Sequence, residues 1–253
     1  MRRNPFVKVS LSSPWSKILC LAILLAARLA HSQVVAGIYF GDAHTASSSL
    51  SMQTPATATN LLITPVSYAT HAFQAPLYYG YHAGYFFRRF RRYLGLEGEF
   101  THLKVFAETN KQAQITGLLH GIPVNETTPI DTIVQYFNIT HGVNLLTGNL
   151  VARKFFLQTG AQPRLILSAR AGAGITIPHP ENEILGIPNV QHYQIGSPAW
   201  QLGADGEIRL WRALYFDTGF RYTRTRESVD IAAGTATSLL NSFHLLGGFT
   251  WHL

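Results

Sequence analysis

The chain contains a single cysteine and no long apolar run. Cys20 lies inside the longest apolar stretch, residues 18–29, so a chain that loses this stretch has neither disulfides nor thiol chemistry. That stretch is shorter than the ~20 residues that a transmembrane helix needs. No Gly-x-Ser-x-Gly or Gly-Asp-Ser sequence is present to mark a hydrolase nucleophile. Thiol enzymes, helical membrane proteins and this class of serine hydrolase are therefore disfavoured.

The first 32 residues have the features of a secretory signal peptide. Four basic residues precede the apolar stretch, and residues 30–32 (AHS) place small side chains where signal peptidase reads. We therefore predict cleavage after Ser32, which leaves residues 33–253 as one mature domain. A membrane anchor is the alternative, but the apolar stretch is too short to span a bilayer.

Removal of this segment changes the charge balance. Five of the 20 Lys and Arg residues lie in residues 1–32, whereas all 13 Asp and Glu residues follow, so the mature net charge is +2. The basic character of the whole chain thus belongs largely to the export signal. The charge gives no indication of a nucleic-acid partner.

The last segment has the pattern of a membrane-facing strand. Side chains alternate across a strand, and one parity of residues 241–253 is apolar: Phe243, Leu245, Phe249, Trp251 and Leu253. The other parity is polar or small: Ser242, His244, Gly248, Thr250 and His252. The closing strand of an outer-membrane barrel has such an apolar face toward lipid. The last strand of a soluble antiparallel sandwich is the alternative.

Alternation of this kind is found in eight segments long enough to span a membrane. They are residues 36–48, 73–87, 93–107, 135–156, 164–178, 190–211, 213–229 and 239–253. Short connections (88–92, 157–163, 211–213) alternate with long ones (49–72, 108–134, 178–189, 230–238). Short periplasmic turns and long outer loops are typical of outer-membrane proteins. The sequence therefore predicts an all-β fold, a single eight-stranded antiparallel barrel in the outer membrane with both termini periplasmic.

The polar faces carry eight charged residues. They are Glu97, Glu99, Arg153, Arg170, Asp205, Glu207, Asp217 and Arg221. Eight strands enclose only enough room for side chains, and an unpaired charge is costly there. We therefore predict a plugged barrel, not a pore, in which Glu97, Glu99, Arg153, Arg170, Asp217 and Arg221 form a buried ionic network. This structural role is enough to explain their presence.

Histidines recur at the predicted outer ends of the strands. His44, His102, His141 and His179 lie at this height, and Glu181 follows His179 by two residues. Imidazole with carboxylate suits a divalent metal such as zinc, copper, iron or nickel. The alternative is that these are amphipathic residues at the level of the lipid headgroups. Parity favours the alternative for His102, because with Glu99 inward it falls on the lipid side unless a β-bulge intervenes.

Six segments resemble the strand motifs of the outer-membrane lipid A oxidase family. They are GDAHT (41–45), PLYYG (76–80), EFTHLKV (99–105), HGVNLLTGN (141–149), GAGITIPHPE (172–181) and GSPAWQ (196–201). They occur in order over nearly all the mature chain, outside residues 49–72 and 108–134. The resemblance implies an eight-stranded barrel and an O₂-dependent oxidation of the proximal glucosamine of lipid A.

If the protein is such an oxidase, its site should lie at the outer rim. We then expect His102, His141 and His179 to be catalytic, and His44, His102, His141, His179 and Glu181 to bind a divalent metal that handles O₂. Lys104 and Lys111 are expected to meet the phosphates of lipid A as point charges. The other expected partners are lipopolysaccharide, the bilayer and the barrel-assembly machinery, with the protein as a monomer.

A second class of function stays open at this stage. Outer-membrane barrels host unrelated activities, and many have none. The alternative is a non-enzymatic barrel with a structural, adhesive or small-ligand-binding role for its long loops. Convergence of the rim histidines would favour the oxidase, and their dispersal toward lipid would favour the alternative.

Overall fold

The computed structural model describes residues 33–159 and 162–253. The predicted signal peptide and its cleavage site lie outside the described residues. Besides short 3₁₀ turns at Pro55–Thr57, Arg88–Phe90 and Ile130–Thr132, the described elements are strands. In chain order they are β1 (Gln33–Thr45), β2 (Ser48–Thr54), β3 (Thr59–Val66), β4 (Tyr68–Ala69), β5 (Tyr79–Phe86), β6 (Leu94–His102), β7 (Val105–Ala107), β8 (Gln112–Leu119), β9 (Ile122–Pro129), β10 (Val134–Ile139), β11 (Leu145–Thr159), β12 (Gln162–Thr176), β13 (Glu181–Ile184), β14 (Ile187–Pro188), β15 (Pro198–Trp211), β16 (Leu214–Ile231) and β17 (Gly234–His252). No helix in residues 33–159 or 162–253 is long and apolar enough to cross a membrane.

Eight of these strands close into a barrel. The order is β1-β5-β6-β11-β12-β15-β16-β17, every neighbour is antiparallel, and β17 pairs back with β1. Along this seam Val35 lies opposite His252, and Thr45 lies opposite Ser242. Closure leaves no open strand edge at membrane depth, which a bilayer requires because it offers no water to unpaired backbone groups. The predicted eight-stranded barrel is confirmed.

The outer surface of the barrel is apolar on every strand. Large exposed side chains of the eight strands include Ile38, Phe40, Tyr81, Leu96, Leu150, Leu167, Leu202, Ile208, Phe216, Phe220, Leu245 and Phe249. On β17 the two parities separate as predicted: Leu245 is 70% exposed, whereas His244 is fully buried. A continuous apolar band around a closed barrel is the outer-membrane type of architecture.

The interior of the barrel is filled by an ionic network. Arg170 forms ion pairs with Glu97, Glu99 and Asp205, and Arg221 pairs with Glu99 and Asp205. All five side chains are buried. Paired charges of this kind occupy the space that a pore would need, so the predicted plugged interior is confirmed.

Two residues assigned to the network do not belong to it. Arg153 Nε donates to the carbonyl of Arg92 at 2.7 Å, and its guanidinium lies 3.4 Å from the centre of the Phe86 ring. Arg153 is four residues along β11 from Asn149, about 13 Å at strand rise, so it cannot reach the carboxylates near Asn149. In residues 33–159 and 162–253, no arginine lies within ion-pair distance of Asp217, which accepts a hydrogen bond from the Thr250 hydroxyl at 3.5 Å. Parity predicted correctly that both side chains point inward, but it does not give their position along the barrel axis.

The two ends of the barrel differ as the connection lengths predict. Short connections follow β5, β11 and β15, and Gln33 and Leu253 lie at the same end. At the other end, residues 49–72 and 108–134 fold into strands instead of open loops. Residues 230–238 are not a loop either, because β16 and β17 continue outward to a two-residue turn between Ile231 and Gly234.

These outer segments form a folded head above the barrel. Strands β2, β3, β8 and β9 extend the barrel sheet from β17, and β14-β13-β10-β7-β4 form a second sheet. One apolar core joins the two sheets and includes Leu50, Ile63, Ile115, Phe137, Ile139, Ile184 and Val229. The predicted fourth segment, 135–156, is consequently divided: β10 belongs to the head, and the barrel strand starts at Leu145.

Candidate functional site

A pocket opens beside the barrel wall where β6 meets the head. Its volume is about 380 Å³, and we call its lining the rim pocket: Pro76, Tyr79, Phe100, His102, His141, Asn144, Ile177 and Tyr193. Tyr79 and Phe100 belong to the outward-facing rows of β5 and β6, and their rings lie 6.2 Å apart. The pocket therefore opens sideways, on the surface that faces lipid.

His102 forms the inner wall of this pocket. It lies opposite Tyr79 in an unbroken register between β5 and β6, and the two rings stack at 5.1 Å and 19°. No bulge turns the side chain inward, so the parity argument, which placed His102 on the lipid side, is confirmed. The residue is nevertheless only 4% exposed, because the chain at residues 141–144 covers it.

Asn144 fixes the protonation pattern of His102. The Asn144 amide nitrogen donates to the carbonyls of His141, Gly142 and Ile177 at 3.0, 3.2 and 3.0 Å. Its Oδ1 therefore faces His102 Nδ1 at 2.8 Å. An amide oxygen only accepts, so Nδ1 carries the proton and Nε2 of the neutral ring keeps its lone pair. His102 Nε2 is buried and has no partner among the described residues, which leaves an acceptor available at the pocket wall.

His141 is oriented by a second polar chain. The Thr140 hydroxyl donates to Glu181 Oε2 at 3.0 Å and lies 3.1 Å from His141 Nδ1. Because the hydroxyl proton goes to the carboxylate, the hydroxyl oxygen accepts from Nδ1, and His141 also keeps its lone pair on Nε2. The His141 ring packs edge-on against His179 at 4.6 Å, and His179 packs against Tyr193 at 4.7 Å.

Gly142 allows the chain to cross this closely over His102. Its φ is +92°, and a Cβ at this position would collide with the His102 ring and with Asn144 Oδ1. Asn144 itself is left-handed with φ of 51°, a conformation that Asn tolerates better than most residues. Gly142 and Asn144 therefore make the tight turn that covers His102.

The predicted lysines are both engaged elsewhere. Lys104 is buried, its ammonium donates to the carbonyl of Gln74 at 2.8 Å, and burial lowers its pKa. Lys111 pairs with Glu108 at 2.7 Å on the surface of the head. Neither residue lines the rim pocket. Burial and the neighbouring His141 likewise lower the pKa of His179.

The five predicted metal ligands are not gathered at one point. His44 is exposed on the outer face of β1, opposite Phe243, and β5 separates β1 from β6. His141 and His179 are in ring contact, but Glu181 reaches His141 only through Thr140. Among the described residues, no three His, Cys, Asp or Glu side chains are close enough to hold a metal ion. The described side chains do not fit a resident metal at this rim.

Several residues of the pocket could not be found in the sequence. Asn144 has a role only because three carbonyls converge on its amide. Tyr193 lies in the predicted strand segment 190–211, but β15 starts only at Pro198, so Tyr193 belongs to a connection. Tyr79 lies in the predicted strand segment 73–87, but its stacking on His102 follows only from the register of β5 and β6. These contacts depend on how the head folds back over the barrel.

The fold defines a class, an eight-stranded transmembrane barrel with a folded head. No protein-family model matches the chain, and no curated protein matches its sequence. Among solved structures, it is similar to Neisserial surface protein A, with 10% identity, 87% of this chain and 96% of that chain covered, and a TM-score of 0.36. It is also similar to Ail, the attachment invasion locus protein of Yersinia pestis in complex with the heparin analogue sucrose octasulfate, with 10% identity, 86% and 99% coverage, and a TM-score of 0.35. Neither likeness assigns a residue role or an activity to this chain.

Proposed function

We propose that the protein acts on lipid A at the rim pocket, and that the reaction is the O₂-dependent oxidation of the proximal glucosamine that the sequence resemblance implies, in which O₂ takes up the two electrons that the sugar loses. The observation that carries the proposal is the sideways opening of the pocket, whose outer wall is the lipid-facing pair Tyr79 and Phe100. A membrane lipid can bring its sugar to such a pocket without leaving the bilayer.

The polar wall of the pocket suits a sugar. His102 and His141 each keep an Nε2 lone pair that can accept a hydrogen bond, or a proton, from a hydroxyl group. The exposed ring of Tyr193 offers a flat apolar face beside them. No step is assigned to a metal, because the described imidazoles and carboxylates do not form a ligand set.

Mass spectrometry of lipid A tests this proposal. Cells with lipopolysaccharide that express the chain aerobically should gain lipid A heavier by one oxygen atom, and His102→Ala should abolish this gain. His44→Ala is the matched control, since it removes an exposed imidazole from the outer face of β1. Heat-modifiable gel migration should show that both variants fold. Unaltered lipid A with the folded wild-type protein would contradict the proposal, and so would equal loss in both variants.

The folded head favours a second candidate, a non-enzymatic barrel that binds a ligand outside the cell. The head has its own apolar core, and its long sheet ends at the edge strand β9. An edge strand presents unpaired backbone groups that can take up another strand. Removal of the hairpin Gln112–Pro129 should then abolish binding of the extracellular ligand to cells that express the protein, and it should leave lipid A unchanged. Unchanged ligand binding after this removal would exclude the role.

A further inference from the structure

A second polar groove lies on the outer surface of β15, β16, β17 and β2, away from the rim pocket. Its volume is about 620 Å³. We call it the arginine groove, and the residues that matter are Trp200, Arg224, Arg226, Asn241, Ser49 and Ser51. None of these residues lines the rim pocket.

The two arginines point outward on the same strand. Arg224 lies between Trp200 on β15 and Asn241 on β17, and Arg226 lies opposite Leu239. They are two residues apart, so their side chains share one face, about 7 Å from each other at strand rise. In the part of the chain that the structure describes, no carboxylate lies within 4 Å of either guanidinium. This contrasts with Arg221 on the inner face of the same strand, which is fully paired.

An aromatic cluster marks the height of the groove. The Trp200 and Tyr222 rings meet edge-on at 5.3 Å, and Tyr222 lies 5.0 Å from Phe243. Below these rings the outer face continues as Leu202, Phe220 and Leu245 of the apolar band. Trp and Tyr collect where the apolar core of a membrane meets its headgroups. Arg224 follows Tyr222 in the outward row and so lies at headgroup height.

We propose that the arginine groove binds the phosphorylated sugar headgroup of an outer-leaflet glycolipid. Guanidinium groups match phosphate oxygens in a bidentate manner, and two unpaired ones at this height call for an anionic partner. Asn241 and the serine hydroxyls around them can meet sugar hydroxyl groups. The acyl chains would then lie along Leu202, Phe220 and Leu245. This site binds lipid without chemistry and does not depend on the proposed reaction.

Lipid binding to the folded, full mature protein tests this assignment. The protein is placed in phosphatidylcholine nanodiscs that contain diphosphorylated lipid A, and bound lipid A is measured by native mass spectrometry. The variant Arg224→Gln/Arg226→Gln should lose about tenfold or more of its lipid A affinity, given the strength of charge-assisted hydrogen bonds. Arg89→Gln/Arg212→Gln is the matched control, because it removes the same charge near the short connections. The control should bind as the wild type does.

Further arms separate the remaining explanations. The wild type should bind lipid A without phosphates only weakly. This affinity should match that of the Arg224→Gln/Arg226→Gln variant for diphosphorylated lipid A. An equal loss of lipid A affinity in both double variants would show that only the total charge of the protein matters, and it would overturn the proposal. Full lipid A binding by Arg224→Gln/Arg226→Gln would also overturn it. Competition by inorganic phosphate at low millimolar concentration would reassign the groove to free phosphate. His102→Ala should leave this binding intact, so failure of the rim-pocket proposal and failure of this one can be told apart.

Discussion

Replacement of Arg170 by Met should destabilise the barrel strongly. Arg170 contacts three carboxylates, with Nε 2.9 Å from Asp205 and Nη1 3.4 Å from Glu99. After its removal, Arg221 still forms ion pairs with Glu99 and Asp205. The remaining partner of Glu97 in the network is His82, whose Nδ1 lies 2.8 Å from Glu97 Oε2. Two buried carboxylates would then share one guanidinium, and the third, Glu97, would have only an imidazole. Breaking a buried ion pair by removing one partner typically costs about 3–5 kcal/mol, and this variant should fall in that range.

The assay is urea unfolding of the protein folded into phosphatidylcholine vesicles, followed by tryptophan fluorescence and heat-modifiable migration. Arg221→Met should show a loss of similar size. Arg224→Met is the matched control from β16, the strand of Arg221, because the Arg224 side chain is exposed and has no carboxylate partner among the described residues. Such exposed changes usually stay within about 0.5 kcal/mol. In Glu97→Gln/Arg170→Met, the loss should be smaller than the sum of the two single losses, since the partners are removed together. An unfolding free energy for Arg170→Met within the range of the Arg224→Met control would refute the network.

Three further predictions concern the other parts of the molecule. Leu150→Arg places a charge on the lipid face of β11 and should cost about 2–4 kcal/mol in vesicle unfolding if it lies near the bilayer midplane; no cost would mean that this face is not in lipid. Ile63→Ala opens a cavity in the head core and should cost about 2–5 kcal/mol, seen as faster proteolysis of the head while the barrel stays heat-modifiable; loss of both together would show that the head does not fold as a separate unit. Gly142→Ala should displace the turn that covers His102 and abolish lipid A modification without changing heat-modifiable migration, and retained modification would show that this turn does not shape the site.

The sequence predicts the barrel well because the bilayer imposes one rule on every strand. Side chains alternate between lipid and interior, so Leu245 and His244 can be assigned by parity alone. The same rule placed Arg170 and Glu99 inside. It cannot give the height of Arg153 or Asp217, since height depends on strand tilt and register, which parity does not contain.

The head and the rim pocket were beyond such reasoning. Strands β2 and β8 are short and end within the head. Their outer faces do not contact lipid, so the bilayer does not impose a regular alternation of apolar and polar side chains on them. The role of Asn144 depends on carbonyls from two connections that the head brings together. Metal binding was expected because His44 and His102 share an outer height in the sequence. Height alone is not proximity on a closed barrel, where residues of similar height can face outward from different strands.

The filled interior determines where this protein can meet a ligand. Arg170 and Arg221 with their carboxylates leave no passage through the barrel. The core of the head continues to Leu103 and Leu145 at the outer ends of β6 and β11, and it closes the outer end of the barrel. The remaining surfaces are the head itself and the side wall at headgroup height. The rim pocket and the arginine groove both lie on that side wall, on different strands. A lipid that diffuses in the outer leaflet reaches both sites without exposing its acyl chains to water. A soluble ligand must first displace the lipids that surround the barrel. Selection at these two sites should therefore act on headgroup chemistry, with chain length contributing only through the apolar band below.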